Sequence, residues 1–533
     1  MQGAGGAGVH LFEPAQDFGD PRLPLGCDLG TIPVCSYLGM RARFLLLAAA
    51  WIPFGASLGS GFHFDDYAIF SDPALTSKSG WLAVWGLGQT RPLTYFTFWL
   101  NYWTGARNPI GYHALNLAFH LAAVLLAYEC LRRLLPHPWP WLAAAIFAVH
   151  PLQAESVDYI WGRPIVLAAL FCFAAMLCWL RGRPWWAVVC FAAALASKEE
   201  VAAFPLVLLL LPAPRPRRGI VAVATMLLLA MAAGAHVAYL ASVTPGAQAG
   251  AQAAVSPWHY LLAQAMAIPR YFRLFVIPWG FSIDPEIAIP PAWLGVLIWM
   301  ALLATALALW RRYRWGFWFA AGLLLLLPSS SIFPANDLSA DRRMYLPIFA
   351  FAALVSACGA GWQPARPAAA QRAGRSVNRP RSAYYLPAAI ILALVTLSFF
   401  RTRVWNSDEA LWREALAAAP AKVRPRIQLA RDVPPQEALE LLAQARELAP
   451  RDAAVASETG RVWMAAGNPA AALTEFGRAL AIDPRDANNY NNRGVALAAL
   501  GQTEAASMDF RRALELSPGL TSARSNLQKM EGR

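Results

Sequence analysis

The stretch RDANNYNNRGVALAALGQTEAASMDFRRALELSP, residues 485–518, decides how the C-terminal part of the chain folds. Tyr490, Gly494 and Leu497 recur at helical spacing, then Ala506, Phe510 and Ala513 do so again, and Pro518 stops the pattern. The unit before it repeats the offsets with Gly460, Trp463, Ala472, Phe476, Ala479 and Pro484. Ala438, Leu442, Ala445 and Pro450 mark a weaker third unit, and Trp412, Ala415 and Pro420 a helix leading into it. The prolines at 450, 484 and 518 each follow the last by 34 residues.

That period is the tetratricopeptide spacing. Each repeat is a pair of helices, small residues against large ones, that buries its core only against its neighbours. The pattern predicts an α-solenoid over residues 401–533, with a concave groove for an extended peptide or a protein partner.

The rest of the chain belongs to another solvent. The 533 residues are 57% hydrophobic and 14% charged, against roughly 45–50% and 25% in soluble domains, which excludes a purely soluble enzyme. The formal net charge of +13 could suggest nucleic acid, but residues 1–400 hold 27 Lys and Arg against 16 Asp and Glu, while residues 401–533 hold 18 against 16. Basic residues that flank apolar runs report membrane topology rather than a nucleic-acid face. Only four of the 45 basic residues are Lys, which suggests a GC-rich bacterial genome. The seven cysteines include no CxxC pair, so neither a zinc site nor a disulfide framework follows.

Apolar stretches near 42–59, 109–134, 139–150, 164–180, 184–197, 200–212, 219–242, 290–310, 315–328, 344–362 and 384–400 predict eleven crossings. Arg270 and Arg273 interrupt 256–280, which reads as an interfacial or re-entrant helix. Residues 1–39 are Gly-, Pro- and Ala-rich without periodicity and read as a disordered or mis-annotated extension, with Met40 the expected start. The membrane domain is expected over 40–400 and the repeats over 401–533. Arg132-Arg133, Arg181 and Arg183, Arg215 to Arg218, Arg311 to Arg314 and five Arg between Arg366 and Arg381 all fall on one side, which the positive-inside rule makes cytoplasmic. Of twelve acidic residues between 41 and 400, all but Glu129 fall on the other side. Polar chemistry is therefore expected on the extracytoplasmic face, and eleven crossings put the repeats there too: a multi-pass protein of a bacterial inner membrane with periplasmic repeats.

The first loop on that face reads Phe62-His63-Phe64-Asp65-Asp66-Tyr67. Adjacent carboxylates beside apolar surface raise each other's pKa, which suits a general base acting on an alcohol. Arg91, Arg163, Lys198, Arg342 and Arg343 lie on the same face, where the topology rule disfavours them. Cations facing a cavity there would hold a phosphate, and pairing with Glu155, Glu199 or Asp341 is the plainer alternative. His63, His113, His120 and His150 are the histidines close enough to line an acceptor pocket; capping of helix ends is the alternative role.

Taken in order, these residues resemble the transmembrane and tetratricopeptide-repeat O-mannosyltransferases and their bacterial relatives, of the GT-C class of glycosyltransferases. The resemblance runs from about residue 44 to the end. Asp65-Asp66 is similar to the family's paired acidic motif, and Arg91-Pro92-Leu93-Thr94 with Thr97-Phe98 and Leu100-Asn101-Tyr102 to its RPLT-type segment. Pro109, Gly111, His113, Asn116 and His120 match the start of its second span. His150-Pro151, Glu155, Val157 and Gly162-Arg163 resemble its HP, E and GR stretch, with Pro164-Ile165 where an acidic residue usually follows. Lys198-Glu199 matches its KE pair, and Asp341-Arg342 with Tyr345-Leu346-Pro347 resembles its ER and YLP motif, with Asp for Glu.

The resemblance implies an all-α fold: a polytopic GT-C-type membrane helix bundle followed by the tetratricopeptide-repeat α-solenoid. It implies a polyprenyl-phosphate-linked sugar, by resemblance mannose, moved to protein Ser or Thr with inversion. Asp65 or Asp66 would deprotonate the acceptor; Arg91, Arg163, Lys198 and Arg342 would hold the donor phosphate. His63, His113, His150, Glu155, Glu199 and Tyr345 would line the acceptor pocket. No cofactor or metal is required by that chemistry. The expected partners are the lipid-linked sugar and an acceptor protein or peptide in the repeat groove, without nucleic acid. Two other readings remain open: a GT-C transferase for a glycan or lipid acceptor, and a non-catalytic membrane-anchored repeat scaffold.

Overall fold

The computed structural model describes residues 32–244, 250, 253–313, 315–361 and 382–532, whose regular structure is helical, with no strand among them. Of the compact unit Met1–Leu45, the described part is the start of helix α1 (Ile32–Phe54), which already runs through Met40; residues 1–31 of the expected extension lie outside the described residues. The second unit, Leu46–Arg533, holds the candidate site and the repeats.

Its first long helices are α2 (Pro92–Gly105), α3 (Pro109–Leu134), α4 (Trp139–Val149), α5 (Arg163–Leu180) and α6 (Pro184–Ser197). The starts follow from local chemistry. Proline occupies the first turn of each of these five, where its missing N–H is no loss, and the Asn108 side chain accepts the Ile110 amide to cap α3. The bundle continues with α7 (Phe204–Leu210), α8 (Gly219–Val243), α9 (Pro257–Val276), α10 (Ala292–Arg312), α11 (Gly316–Leu326), α12 (Tyr345–Gly361) and α13 (Ser382–Val404).

Among the described residues six segments are long and apolar enough to cross a membrane: Gly39–Gly59, Pro109–Leu134, Ile160–Leu180, Gly219–Val243, Ala292–Arg312 and Tyr385–Val404. Trp139–Val149, Pro184–Ser197 and Gly316–Leu326 are apolar but shorter. The expected crossing at 200–212 holds only a short helix, although the chain still passes between Lys198 at one end of the bundle and Gly219 at the other. A turn occupies Glu199–Val201, and the helix that follows has seven residues, about 10 Å of rise against the roughly 30 Å of a hydrocarbon core. The expected Arg cluster at 366–381 lies outside the described residues.

Helix α4 shows how a short helix is tolerated in apolar surroundings. Its last carbonyls have no partner within the helix and no water to replace one. Side chains from three places supply the donors: Gln153 to Phe147 O at 2.9 Å, His120 Nε2 to Ala148 O at 3.0 Å, and the Ser398 hydroxyl to Val149 O at 2.5 Å. Helix α9 keeps to one end of the bundle along its whole length. The Tyr260 hydroxyl donates to Ser329 O, Gln264 to Leu338 O, Arg270 pairs with Asp341, and Phe275 O accepts from His150.

The same end gathers the loops. Ser60 donates to Asn406, the Trp161 amide to Asp66, Arg91 to Glu199, Arg342 to Glu155 and Lys422 to Asp284. Helices α3 and α5 run from this end toward Arg132-Arg133 and Arg181, and Gly219, just past Arg215 to Arg218, sits against Trp179 near the latter. Acidic loops thus meet at one end and these Arg clusters lie at the other.

The repeats start from α14 (Asp408–Ala418) and α15 (Arg424–Leu429) and continue as α16 (Pro435–Leu448), α17 (Ala453–Ala465), α18 (Pro469–Ile482), α19 (Ala487–Ala499), α20 (Thr503–Leu516) and α21 (Thr521–Glu531). Asp452, Asn468 and Asp486 cap α17, α18 and α19. Glycine is required at 460 and 494 by close approach: a Cβ would lie 2.6 Å from the Phe476 ring and 2.7 Å from the Phe510 ring. Phe510 packs with Leu497 and Ala506 as the core of the last repeat. Phe510→Ala is therefore expected to cost about 3–5 kcal/mol there. Hydrogen exchange on the full chain should show lost protection over 487–531 and unchanged protection over α5 and α6.

Candidate active site

The loop after α1 turns back at His63 and forms one tight turn, Phe64–Tyr67, in which the two adjacent carboxylates part company. Asp66 is fully buried. One of its oxygens accepts the His63 amide at 2.9 Å and the other the Trp161 amide at 2.9 Å, so it ties the first loop to the start of α5. Burial pushes its carboxyl up to about 7, against the pull of the two amides and of His63. Asp65 is exposed, and its carboxylate accepts from the Tyr159 hydroxyl at 3.2 Å. Of the pair, Asp65 is the carboxylate a substrate can reach.

His63 is 3% exposed, and its Nδ1 lies 2.5 Å from the Asp408 carboxylate at the start of α14. Burial alone would lower its pKa, but the hydrogen bond and charge of Asp408, helped by Asp66, raise it. Tyr159 is stacked on Trp405 with ring centres 5.6 Å apart, and lies within electrostatic reach of Asp65, Asp66 and Arg342.

A partly buried group of charges lies at the same end of the bundle. Arg342 donates from its backbone and guanidinium to Glu155 at 3.0 and 2.6 Å and reaches Asp337 at 3.5 Å. Arg91 grips Glu199 with two bonds of 2.9 and 2.6 Å. Burial would raise the Glu199 carboxyl, yet Arg91 overrides it and holds it down to about 2. Lys198 lies 3.1 Å from Glu200, and burial pulls its ammonium below the ordinary value against that partner. Arg343 donates to the carbonyls of Asp337 and Leu338.

Arg342 and Lys198 therefore sit together as cations a phosphate could share, and Arg91 beside them. Arg163 does not. It is fully buried, bonded to Asn116 at 2.7 Å, Thr97 at 3.2 Å and the Tyr112 carbonyl at 3.0 Å, and its guanidinium lies 4.3 Å from the centre of the Phe98 ring. Its donors hold α2, α3 and α5 together, which removes it from the phosphate-facing set. Asn116 supplies an acceptor in this pocket, where residues 164 and 165 offer no carboxylate.

The pocket-lining expectations divide as well. Glu155 and Glu199 belong to the charged group as partners of Arg342 and Arg91. His113, His150 and Tyr345 are buried, at 1% exposure or less, and serve the backbone or a buried histidine. His113 Nε2 bonds Gly61 O at 3.1 Å; His150 Nε2 donates to Phe275 O at 3.0 Å while Nδ1 accepts the Leu152 amide; Tyr345 shares a 2.8 Å bond with His120. None of the three faces an open surface, so they are withdrawn as acceptor contacts. Sequence reasoning missed Tyr159, Trp405 and Asp408. An aromatic pair near a membrane end reads as an interfacial belt, and an acid in the first turn of a helix reads as ordinary helix chemistry. Among the described residues no group of three or more His, Cys, Asp or Glu could hold a metal ion.

The two carboxylates should separate in stability. Asp66→Asn replaces one acceptor with an amide that cannot take the second N–H, a loss of about 1–3 kcal/mol. Asp65→Asn should leave the melting temperature of the detergent-solubilised protein unchanged, while Asp66→Asn lowers it.

No family model matches the chain, but comparison with known proteins gives relatives that are named protein O-mannosyl-transferases. The chain is 33% identical over 164 residues to the Protein O-mannosyl-transferase F38B6.6 of Caenorhabditis elegans, covering 27% of this chain and 24% of that protein. It is 29% identical over 160 residues to the human Protein O-mannosyl-transferase TMTC3, covering 27% and 18%, and 35% identical over 141 residues to Tmtc1 of Drosophila melanogaster, covering 24% and 16%. The chain thus spans about a quarter or less of the length of these curated relatives. Solved structures are less alike: a crystal structure of MamA matches with a TM-score of 0.22 and 21% identity over 23% of this chain and 75% of that one, and the first TPR of Spaghetti with 0.18 and 24% over 18% and 80%. By sequence, this chain is similar to the protein O-mannosyl-transferases of the TMTC group.

Proposed function

We propose that the chain is a membrane glycosyltransferase that moves mannose from a polyprenyl phosphate to a Ser or Thr hydroxyl of a protein. The observation that carries this is an exposed carboxylate, Asp65, bonded to the Tyr159 hydroxyl at the end of the bundle that also holds a half-buried cation, Arg342. A transferase of this type needs those two groups on opposite sides of one reacting carbon. The names of the curated relatives support the same activity.

In this reading Asp65 takes the proton of the acceptor hydroxyl, and the oxygen attacks the anomeric carbon as the bond to the donor phosphate breaks, inverting that carbon. Negative charge grows on the leaving phosphate, where Lys198 and Arg342 meet it. Arg91 acts beside them through the Glu199 pair. Groups that are already fixed by Glu155, Glu199 and Glu200 need little reorganisation as the charge moves, which is where electrostatic catalysis gains most. The reaction face is the end where the acidic loops meet. In this reading the end with the Arg clusters is cytoplasmic, as the positive-inside rule supports, and the site and the repeats stand on the extracytoplasmic face, in a bacterial inner membrane the periplasm. The repeats hold the acceptor chain in their groove.

The test is transfer of labelled mannose from polyprenyl-phosphate mannose into protein by the full chain in membranes. Asp65→Asn, at equal abundance, is expected to lower transfer by about 10²–10⁴-fold, the usual contribution of a general base. Full transfer by that variant would remove the base role, and no transfer by the unaltered protein from this donor would overturn the proposed reaction.

A further inference from the structure

The part of the repeat domain nearest the bundle is built into the candidate site from two sides. On one side, His63 is held by Asp408, and His63 begins the turn that carries the paired acids: its carbonyl accepts the Asp66 amide at 2.8 Å and its amide donates to Asp66. On the other side, Trp405 stacks on Tyr159, the residue bonded to Asp65. Between them Phe64, next to Asp65 in sequence, packs edge-on against Trp412 of α14 with ring centres 5.0 Å apart, and Ser60 donates to Asn406 at 2.5 Å. Trp405 and Trp412 are buried to 2% exposure or less.

A domain tethered only by its linker would need none of these contacts. Trp405 and Trp412 together satisfy packing, but packing alone does not call for an acid at 408. The Asp408 carboxylate meets a ring that is otherwise enclosed by protein, at the hydrogen-bonding distance of a charge-assisted pair.

We propose that the repeat domain completes the candidate active site, with Asp408 a positioning residue that fixes His63 and, through the His63 turn, the direction in which Asp65 points. This rests on the proposed reaction for its catalytic consequence but not for its geometry. An acceptor seated in the repeats is then held by the same element that aims the base, so that binding and alignment are set by one rigid body rather than by two.

The experiment compares the full chain with Asp408→Asn, Asp408→Glu and, as a control on the same helix, Glu409→Gln, whose carboxylate pairs with Arg413. Hydrogen exchange is read over 60–67 and over 435–531, and mannosyl transfer is read as kcat and KM for an acceptor peptide. Asp408→Asn is expected to speed exchange at 60–67 at least tenfold with the repeats unchanged, and to lower kcat at least tenfold with KM within twofold. Asp408→Glu, which keeps the carboxylate, should recover most of both, and Glu409→Gln should change neither. Unchanged exchange at 60–67 in Asp408→Asn, or a general loss of protection across the repeats with no local effect, would overturn the proposal. Coupled exchange in a chain that transfers no mannose would retain the positioning role and refute the reaction instead.

Discussion

One buried carboxylate sets the arrangement on which the rest of the loop end depends. Asp66 has no exposure to solvent, and its two oxygens are taken by amides nearly a hundred residues apart in sequence, at His63 and Trp161. A buried carboxylate without such donors would be very costly, and so the two segments are held to it. The first loop thereby meets the turn between α4 and α5, and Tyr159, two residues before Trp161, is brought to Asp65. The exposed acid owes its surroundings to the buried one.

The charges at the same end of the bundle follow the same rule at larger scale. Arg91 with Glu199, Lys198 with Glu200, Arg342 with Glu155 and Arg270 with Asp341 are matched pairs, and most of their members are largely shielded from solvent. Pairs of this kind are poor sources of stability, since desolvation offsets most of the attraction. Their value is that they fix cations at defined points beside an apolar bundle. A bilayer-facing protein has few other ways to keep positive charge ready on the face where topology disfavours it.

Much of this was legible in the sequence, and the failures have physical causes. The prolines at 450, 484 and 518 fix where helix pairs end, because a ring without an N–H breaks the ladder wherever the chain carries it; the packing of Phe476 on Gly460 and Phe510 on Gly494 then follows. Long apolar runs such as 109–134 and 219–242 became long helices. The run at 200–212 did not, because hydropathy does not register the turn at Glu199–Val201 or the proline that restarts the helix at 205. The paired acids stood out by type, but only the fold shows which of them reaches solvent. Arg163, His113, His150 and Tyr345 have the residue types of a site and are used to satisfy neighbours: a motif records that a polar side chain is needed, and its partner decides whether the need is chemical or structural.

The lead-in helix α14 packs Trp412 and Ala415 in one cluster with Leu429 and Leu441 of the repeats and with Phe64 and Ile283 of the bundle's loops. Its buried side is committed to both at once. Solenoids diverge readily by gaining and losing whole units, since each unit touches only its neighbours. Here that freedom is one-sided. Units can be added or dropped beyond α21 without disturbing anything upstream, whereas a deletion or insertion near residue 408 would shift an entire register of contacts. Lineages of this protein should therefore differ in how far the solenoid extends and agree in how it begins.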